Sequence, residues 1–330
     1  MVETNKQMQE VLNAFADLNP LPIEAITPEA ARQLPELRDA ALAVVNQHGA
    51  RRLIQGVIEP VKSVEHILIP GPESLLTARI YRPSEASSLP LLLYFHGGGF
   101  VLGDLNTYDS SCRALANAAG CLVLSVAYRQ APEHPFPAAH DDAFAAYRWA
   151  LKNGGSIGAD PHRIAVAGES AGGNLAAAVC LMAKSRSIRQ PLHQLLVYPV
   201  TDNHFDTDSY QEHADAKPLN RAMMRWFWKH YLQGQPTNEI CCPLQSADLA
   251  GLAPATVITA EIDPLRSEGE HYADRLRSYD VPVHSRMFKG VTHEFFGLGS
   301  AVAEGKEAVK EAATELIRAF SESAALKEAV

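Results

Sequence analysis

The sequence predicts an α/β fold: an eight-stranded, mostly parallel sheet with helices on both faces and a helical cap. Three observations lead there. Short apolar runs without polar alternation recur along the chain, as expected of strands buried on both faces. Helix-like stretches separate the later runs, the connection that parallel neighbours require. The first two runs are separated only by Pro70-Gly71-Pro72, which suits an antiparallel hairpin at one edge.

Residues 1–55 read as helical. Met8, Val11, Leu12, Phe15 and Leu18 form an amphipathic pattern, and the segment Thr27–Gln47 opens with Thr27 as N-cap and Pro28 in the first turn. The strand candidates follow: Val64–Ile69, Thr77–Arg82, Leu91–Phe95, Leu122–Val126, Ile164–Ala167, Leu195–Tyr198, Thr256–Ala260 and Val281–Phe288. Helical patterns occupy 107–119, 139–152, 171–186, 265–279 and 303–326. The alternation breaks after Pro199, where no strand is expected before residue 250. There Met223, Met224, Trp226, Phe227 and Trp228 cluster in Pro218–Gln233. Such a cluster is either ordinary core or, with the N-terminal helices, a cap over the carboxyl ends of the strands, where open α/β sheets bind ligands. The expected division is 1–55 as N-terminal helices, 56–200 with 246–330 as one catalytic unit, and 201–245 as a cap insertion.

A chain of 330 residues can bury a large core without disulfide or metal staples. Lys plus Arg number 29 against 38 Asp plus Glu, a net charge of −9 with no basic run. That balance argues against nucleic acid, whose binding depends on neutralising phosphates. The five cysteines lack metal-ligand spacing and read as buried small hydrophobes. The N-terminus lacks a signal peptide's cationic start and continuous apolar run. The longest apolar runs, Leu89–Phe95 and Leu175–Ala183, are far shorter than the roughly 20 residues of a membrane helix. A cytoplasmic protein without membrane association is therefore expected.

Three local patterns carry chemistry. Gly168-Glu169-Ser170-Ala171-Gly172 stands between a strand and an alanine-rich helix. This G-x-S-x-G turn holds its serine in strained backbone at the sheet edge, beside a helix N-terminus. His96-Gly97-Gly98-Gly99-Phe100 directly follows Leu91–Phe95. Glycines there can turn backbone N–H groups towards a developing oxyanion, so Gly98, Gly99 and Ala171 are the expected donors. His96 reads as an anchor for that loop. A serine nucleophile also needs a base and a carboxylate that orients it, in the chain order Ser, Asp or Glu, His. Of the histidines after Ser170, His271 falls in a helix and His284 in a strand, whereas His293 follows the last strand in a loop and is the best base. Asp263 and Asp202 both end strands. Asp263, followed by Pro264 and belonging to the strand before that of His293, is the preferred acid, and Asp202 remains an alternative.

These motifs, with Tyr128-Arg129 and Ala131–Ala138, and with Asp263-Pro264-Leu265-Arg266, resemble the bacterial hormone-sensitive-lipase-like (family IV) carboxylesterases across residues 60 to 320. The resemblance implies an α/β-hydrolase fold and hydrolysis of short- to medium-chain acyl esters through an acyl-enzyme. It implies a small-molecule ester as substrate, no metal or organic cofactor, and a homodimer as a possible assembly. Phe100, Met223, Phe227, Leu265 and Val291 are expected to contact the ester, and the stretch around Glu133 to buttress the oxyanion loop. Glu169, Ser267 and Glu294 depart from the family's commoner residues, but none displaces a triad candidate. Plant hormone receptors that resemble these enzymes lack the catalytic histidine, whereas His293 is present here.

Overall fold

A computed structural model describes residues 2–47 and 59–328. The N-terminal region contributes helices α1 (Lys6–Asp17), α2 (Pro28–Ala31) and α3 (Leu37–Gln47). Thr27 caps α2, its Oγ1 accepting from the Ala30 N–H at 3.4 Å. Thr27–Gln47 is not one helix, because Pro35 has no N–H to donate and the chain turns between α2 and α3. The last part of the helical reading, residues 48–55, lies outside the described residues.

The remaining elements are β1 (Ser63–Pro70), β2 (Leu75–Arg82), β3 (Leu89–Phe95), α4 (Asp109–Ala119), β4 (Leu122–Val126), α5 (Ala138–Asn153), β5 (Ala159–Glu169) and α6 (Ala171–Ser185). They continue with β6 (Gln194–Val197), α7 (Asp208–Glu212), α8 (Arg221–Leu232), β7 (Ala255–Ile262), α9 (Arg266–Ser278), β8 (Val283–Thr292) and α10 (Ala303–Glu328). The eight strands form one sheet in the order β1-β2-β4-β3-β5-β6-β7-β8. The β1–β2 and β2–β4 pairs are antiparallel, and the rest are parallel.

Side chains that alternate along a strand enter two different cores. Leu91, Leu93 and Phe95 of β3 join one apolar cluster with α5 and α6, while Leu92 and Tyr94 join another with α4 and α10. In β5, Ile164 and Val166 divide in the same way from Ala165 and Ala167. Burial on both faces explains why these strands read as continuous apolar runs. Every residue of α6 from Ala171 to Ala183 is buried, so it packs as an interior helix. Among the described residues, no helix is long and apolar enough to cross a membrane. All five cysteines are buried and unbridged.

Register places the strand ends. Ile262 pairs with Thr292, so Asp263 and His293 leave neighbouring strands side by side. Glu169 pairs with Val197, and the Ser170 N–H donates to the Val197 carbonyl at 2.9 Å, which sets Ser170 beside Tyr198. Phe95 pairs with Gly168, bringing the 96–100 loop alongside. Strand β8 runs on to Thr292, beyond the apolar Val281–Phe288 run, and delivers His293 directly from the sheet.

Candidate active site

The backbone at Ser170 has a positive φ, 55°, with ψ −118°, a conformation that costs free energy for a non-glycine residue. Close packing enforces it. A Cβ on Gly172 would fall 1.9 Å from the Phe95 carbonyl oxygen, so the elbow can press against the end of β3 only with glycine there. The side chain of Ser170 opens into a cavity of about 900 Å³ that also receives His293, Gly98 and Gly99.

His293 is buried, and its Nδ1 lies 2.7 Å from Asp263 Oδ2. The second carboxylate oxygen of Asp263 accepts from the Leu265 N–H at 2.9 Å, which fixes the carboxylate at the start of α9. Burial opposes the imidazolium. The charge and hydrogen bond of Asp263 outweigh it and hold the His293 pKa above its ordinary value. Asp202 lies elsewhere: its carboxylate meets His204 Nδ1 at 2.7 Å and accepts from Gln245 Nε2 at 2.6 Å. Of the two aspartates considered, the geometry brings Asp263 to His293.

The 96–103 loop, expected to supply the oxyanion donors, is held from several sides. Gly98 has φ +98°, and a Cβ there would lie 2.0 Å from the Leu102 carbonyl oxygen. Gly99 has φ +60° and packs under the Phe227 ring. The Leu102 N–H donates back to the Gly98 carbonyl at 2.7 Å. His96 stacks on Tyr128, with ring centroids 4.3 Å apart, and its Nδ1 lies 2.8 Å from the Gly97 carbonyl oxygen. Burial lowers its pKa to about 4, so it is neutral and serves as an anchor. Arg32 joins the N-terminal region to this loop, donating to the carbonyls of Val101 at 2.9 Å and Ala131 at 2.8 Å. Glu133 accepts a two-pronged bond from the same guanidinium, which holds its carboxyl at about 2. Gln130 Nε2 donates to the Leu102 carbonyl at 2.7 Å.

The far wall of the cavity is helical. It combines Leu12 and Phe15 of α1, Leu21, Ile23 and Leu34, and Leu219, Met223, Met224 and Phe227 at and on α8. Trp226 Nε1 donates to the Ile26 carbonyl at 3.2 Å and ties the two parts together. Three expected contact residues lie away from this lining. Phe100 stacks on Tyr231 at 4.0 Å, Leu265 is fully buried and supplies the N–H that fixes Asp263, and Val291 is fully buried in the α4–α10 core. Met223 and Phe227 do line the cavity.

Sequence reasoning missed Arg32, whose partner is 101 positions away and leaves no local signal. It also missed Tyr108 on the cavity wall, whose hydroxyl lies 3.5 Å from Oε1 of Glu294, one of the departures noted in the sequence. Burial lifts the Glu294 pKa to about 7. Ser267, one of the departures, trades hydrogen bonds with Ser209 and so ties α9 to α7 of the insertion.

Comparison with known proteins gives this arrangement its class. The alpha/beta hydrolase fold family matches residues 92–297. The chain is 43% identical over 253 residues to the carboxylic ester hydrolase LipN of Mycobacterium tuberculosis, covering 73% of this chain and 67% of the relative. It is 37% identical over 238 residues to an ethyl acetate hydrolase of Pseudomonas putida, covering 70% and 75%. Among solved structures, the esterase of Pyrobaculum calidifontis superposes with a TM-score of 0.86 at 37% identity, covering 96% of this chain and 99% of that one. The chain belongs to the alpha/beta hydrolase fold family and, within it, to the hormone-sensitive-lipase-like family IV esterases. It is a hydrolase.

Proposed function

We propose that the protein hydrolyses short- to medium-chain acyl esters by two-step acyl transfer on Ser170. His293, oriented by Asp263, takes the Ser170 hydroxyl proton as the oxygen attacks the ester carbonyl. The N–H groups of Gly98, Gly99 and Ala171 receive the oxyanion. His293 then protonates the departing alcohol, and in the second step it deprotonates the water that releases the acid. The N-terminal helices α1–α3 and residues 201–245 act as the cap, with Met223 and Phe227 against the substrate.

One observation carries this reading. A strained serine opens into the same cavity as a histidine whose far nitrogen lies 2.7 Å from a buried aspartate. The helical wall gives an acyl group its apolar surface, since Leu12, Phe15, Met223 and Phe227 line that side of the cavity. The relative in Pseudomonas putida is named for the hydrolysis of a short ester, ethyl acetate. Turnover of p-nitrophenyl esters from acetate to palmitate tests both parts. The expected profile peaks at short to medium chains and is abolished in Ser170→Ala. Rates that climb steadily beyond about ten carbons would reject the chain-length limit.

A further inference from the structure

One buried carboxylate beside the nucleophile has no part in the reaction above. Glu169 ends β5, directly after its buried apolar stretch Ile164–Gly168, and is 1% exposed. An apolar residue would fill this space without an ionisable group. The side chain is instead fully engaged: Oε1 accepts from the Tyr94 hydroxyl at 2.5 Å, and Oε2 accepts from the Tyr198 hydroxyl. The Tyr198 ring in turn packs on the His293 imidazole, with centroids 4.4 Å apart and planes at 50°. Tyr198 is itself set in an unusual backbone, φ 35°, with its N–H donated to the Ile258 carbonyl at 2.6 Å. It therefore lies between the strand that carries Ser170 and the strand that carries Asp263.

We propose that Glu169 is a positioning residue for the base. Through the Tyr198 hydroxyl it holds the ring against which His293 packs, and its carboxylate favours the imidazolium that forms when Ser170 loses its proton. The inference rests on the Ser170–His293–Asp263 reading. Several other groups face this cluster. Asp263 comes from the end of β7, Glu294 from the turn after β8, Tyr94 from β3, and Tyr108, Ser111 and Cys112 from in front of and within α4. Asp263 acts on the Nδ1 side of His293, whereas Glu169 acts through Tyr198, so the two carboxylates are not redundant. Burial raises the Glu169 pKa, and its hydrogen bonds, Tyr198 and Tyr94 among them, oppose that rise. Losing a hydroxyl donor therefore weakens the charged form.

The test measures kcat and KM for p-nitrophenyl acetate from pH 5 to 10 in the wild type, Glu169→Gln, Tyr198→Phe and Ser170→Ala, with thermal melts to establish folding. Glu169→Gln should keep KM, lower kcat about tenfold and move the acid limb of kcat/KM down by about half a pH unit. Tyr198→Phe should shift both quantities in the same direction by less. Unchanged kcat and acid limb in the folded variants would overturn the proposal. So would a loss that appears only in KM or leaves the acid limb in place. If Glu169→Gln fails to fold, Tyr198→Phe decides by the same criteria. Turnover that persists in Ser170→Ala would instead remove the reading on which the proposal rests.

Discussion

The two walls of the cavity are built on different principles. The sheet-edge wall is fixed by strand register, strained backbone and hydrogen bonds: Ile262 opposite Thr292, Ser170 at φ 55°, and Asp263 held by the Leu265 N–H. The helical wall is held mainly by apolar packing from two segments distant in the chain, joined at Trp226 and Ile26, and Arg32 fastens the N-terminal one to the glycine loop. The chemistry proposed above, which would fail if reacting groups moved by an ångström, belongs to the first wall. The second can change side chains at the cost of shape alone.

That contrast orders the expected effects. Ser170→Ala should lower kcat by about 10⁴–10⁶ in a single-turnover assay while leaving the melting temperature near that of the wild type. Asp263→Asn should cost about 10⁴ in kcat, because the amide no longer holds His293 in the right tautomer. Asp202→Asn, which perturbs a carboxylate bonded to His204 and Gln245, should cost less than about threefold. Comparable losses in the two asparagine variants would erase the distinction between the aspartates. Gly98→Ala forces a Cβ towards the Leu102 carbonyl and should reduce kcat by about 10²–10³ with KM little changed. On the helical wall, Met223→Ala with Phe227→Ala should leave acetate hydrolysis within about tenfold and extend the preferred acyl chain. An unaltered chain-length profile would show that these side chains do not limit the substrate.

The smallest effect concerns stability. Burial raises the Glu294 pKa from 4.5 to about 7, so between these values the folded protein holds a proton that the unfolded chain has released. Its contribution to stability therefore falls as pH rises through that window. Glu294→Gln should melt above the wild type at pH 8, and the gap should close by pH 4. A constant difference across that range would contradict the assignment.

The same contrast explains what was legible in the sequence. Residues on the sheet edge announce themselves locally: a serine framed by glycines after an apolar run, a glycine triplet after another, an aspartate and a histidine at strand ends. Their fold followed because strands buried on two faces have a distinct composition. The helical wall was only half legible. Met223 and Phe227 could be chosen from an aromatic cluster, but Phe100, Leu265 and Val291 could not be told apart from core, since apolar residues near a site look alike in sequence. The break at Pro35 is hidden in the sequence because the flanking segments share a helical pattern. Arg32 and Tyr198 act through partners far along the chain, which no local motif encodes.

The most direct test of the account is covalent labelling with a p-nitrophenyl alkylphosphonate, followed by peptide mass spectrometry. The account predicts one equivalent of p-nitrophenol released, complete loss of esterase activity, and a single phosphonyl group on Ser170. A label on any other residue, or full activity with Ser170 modified, would contradict it.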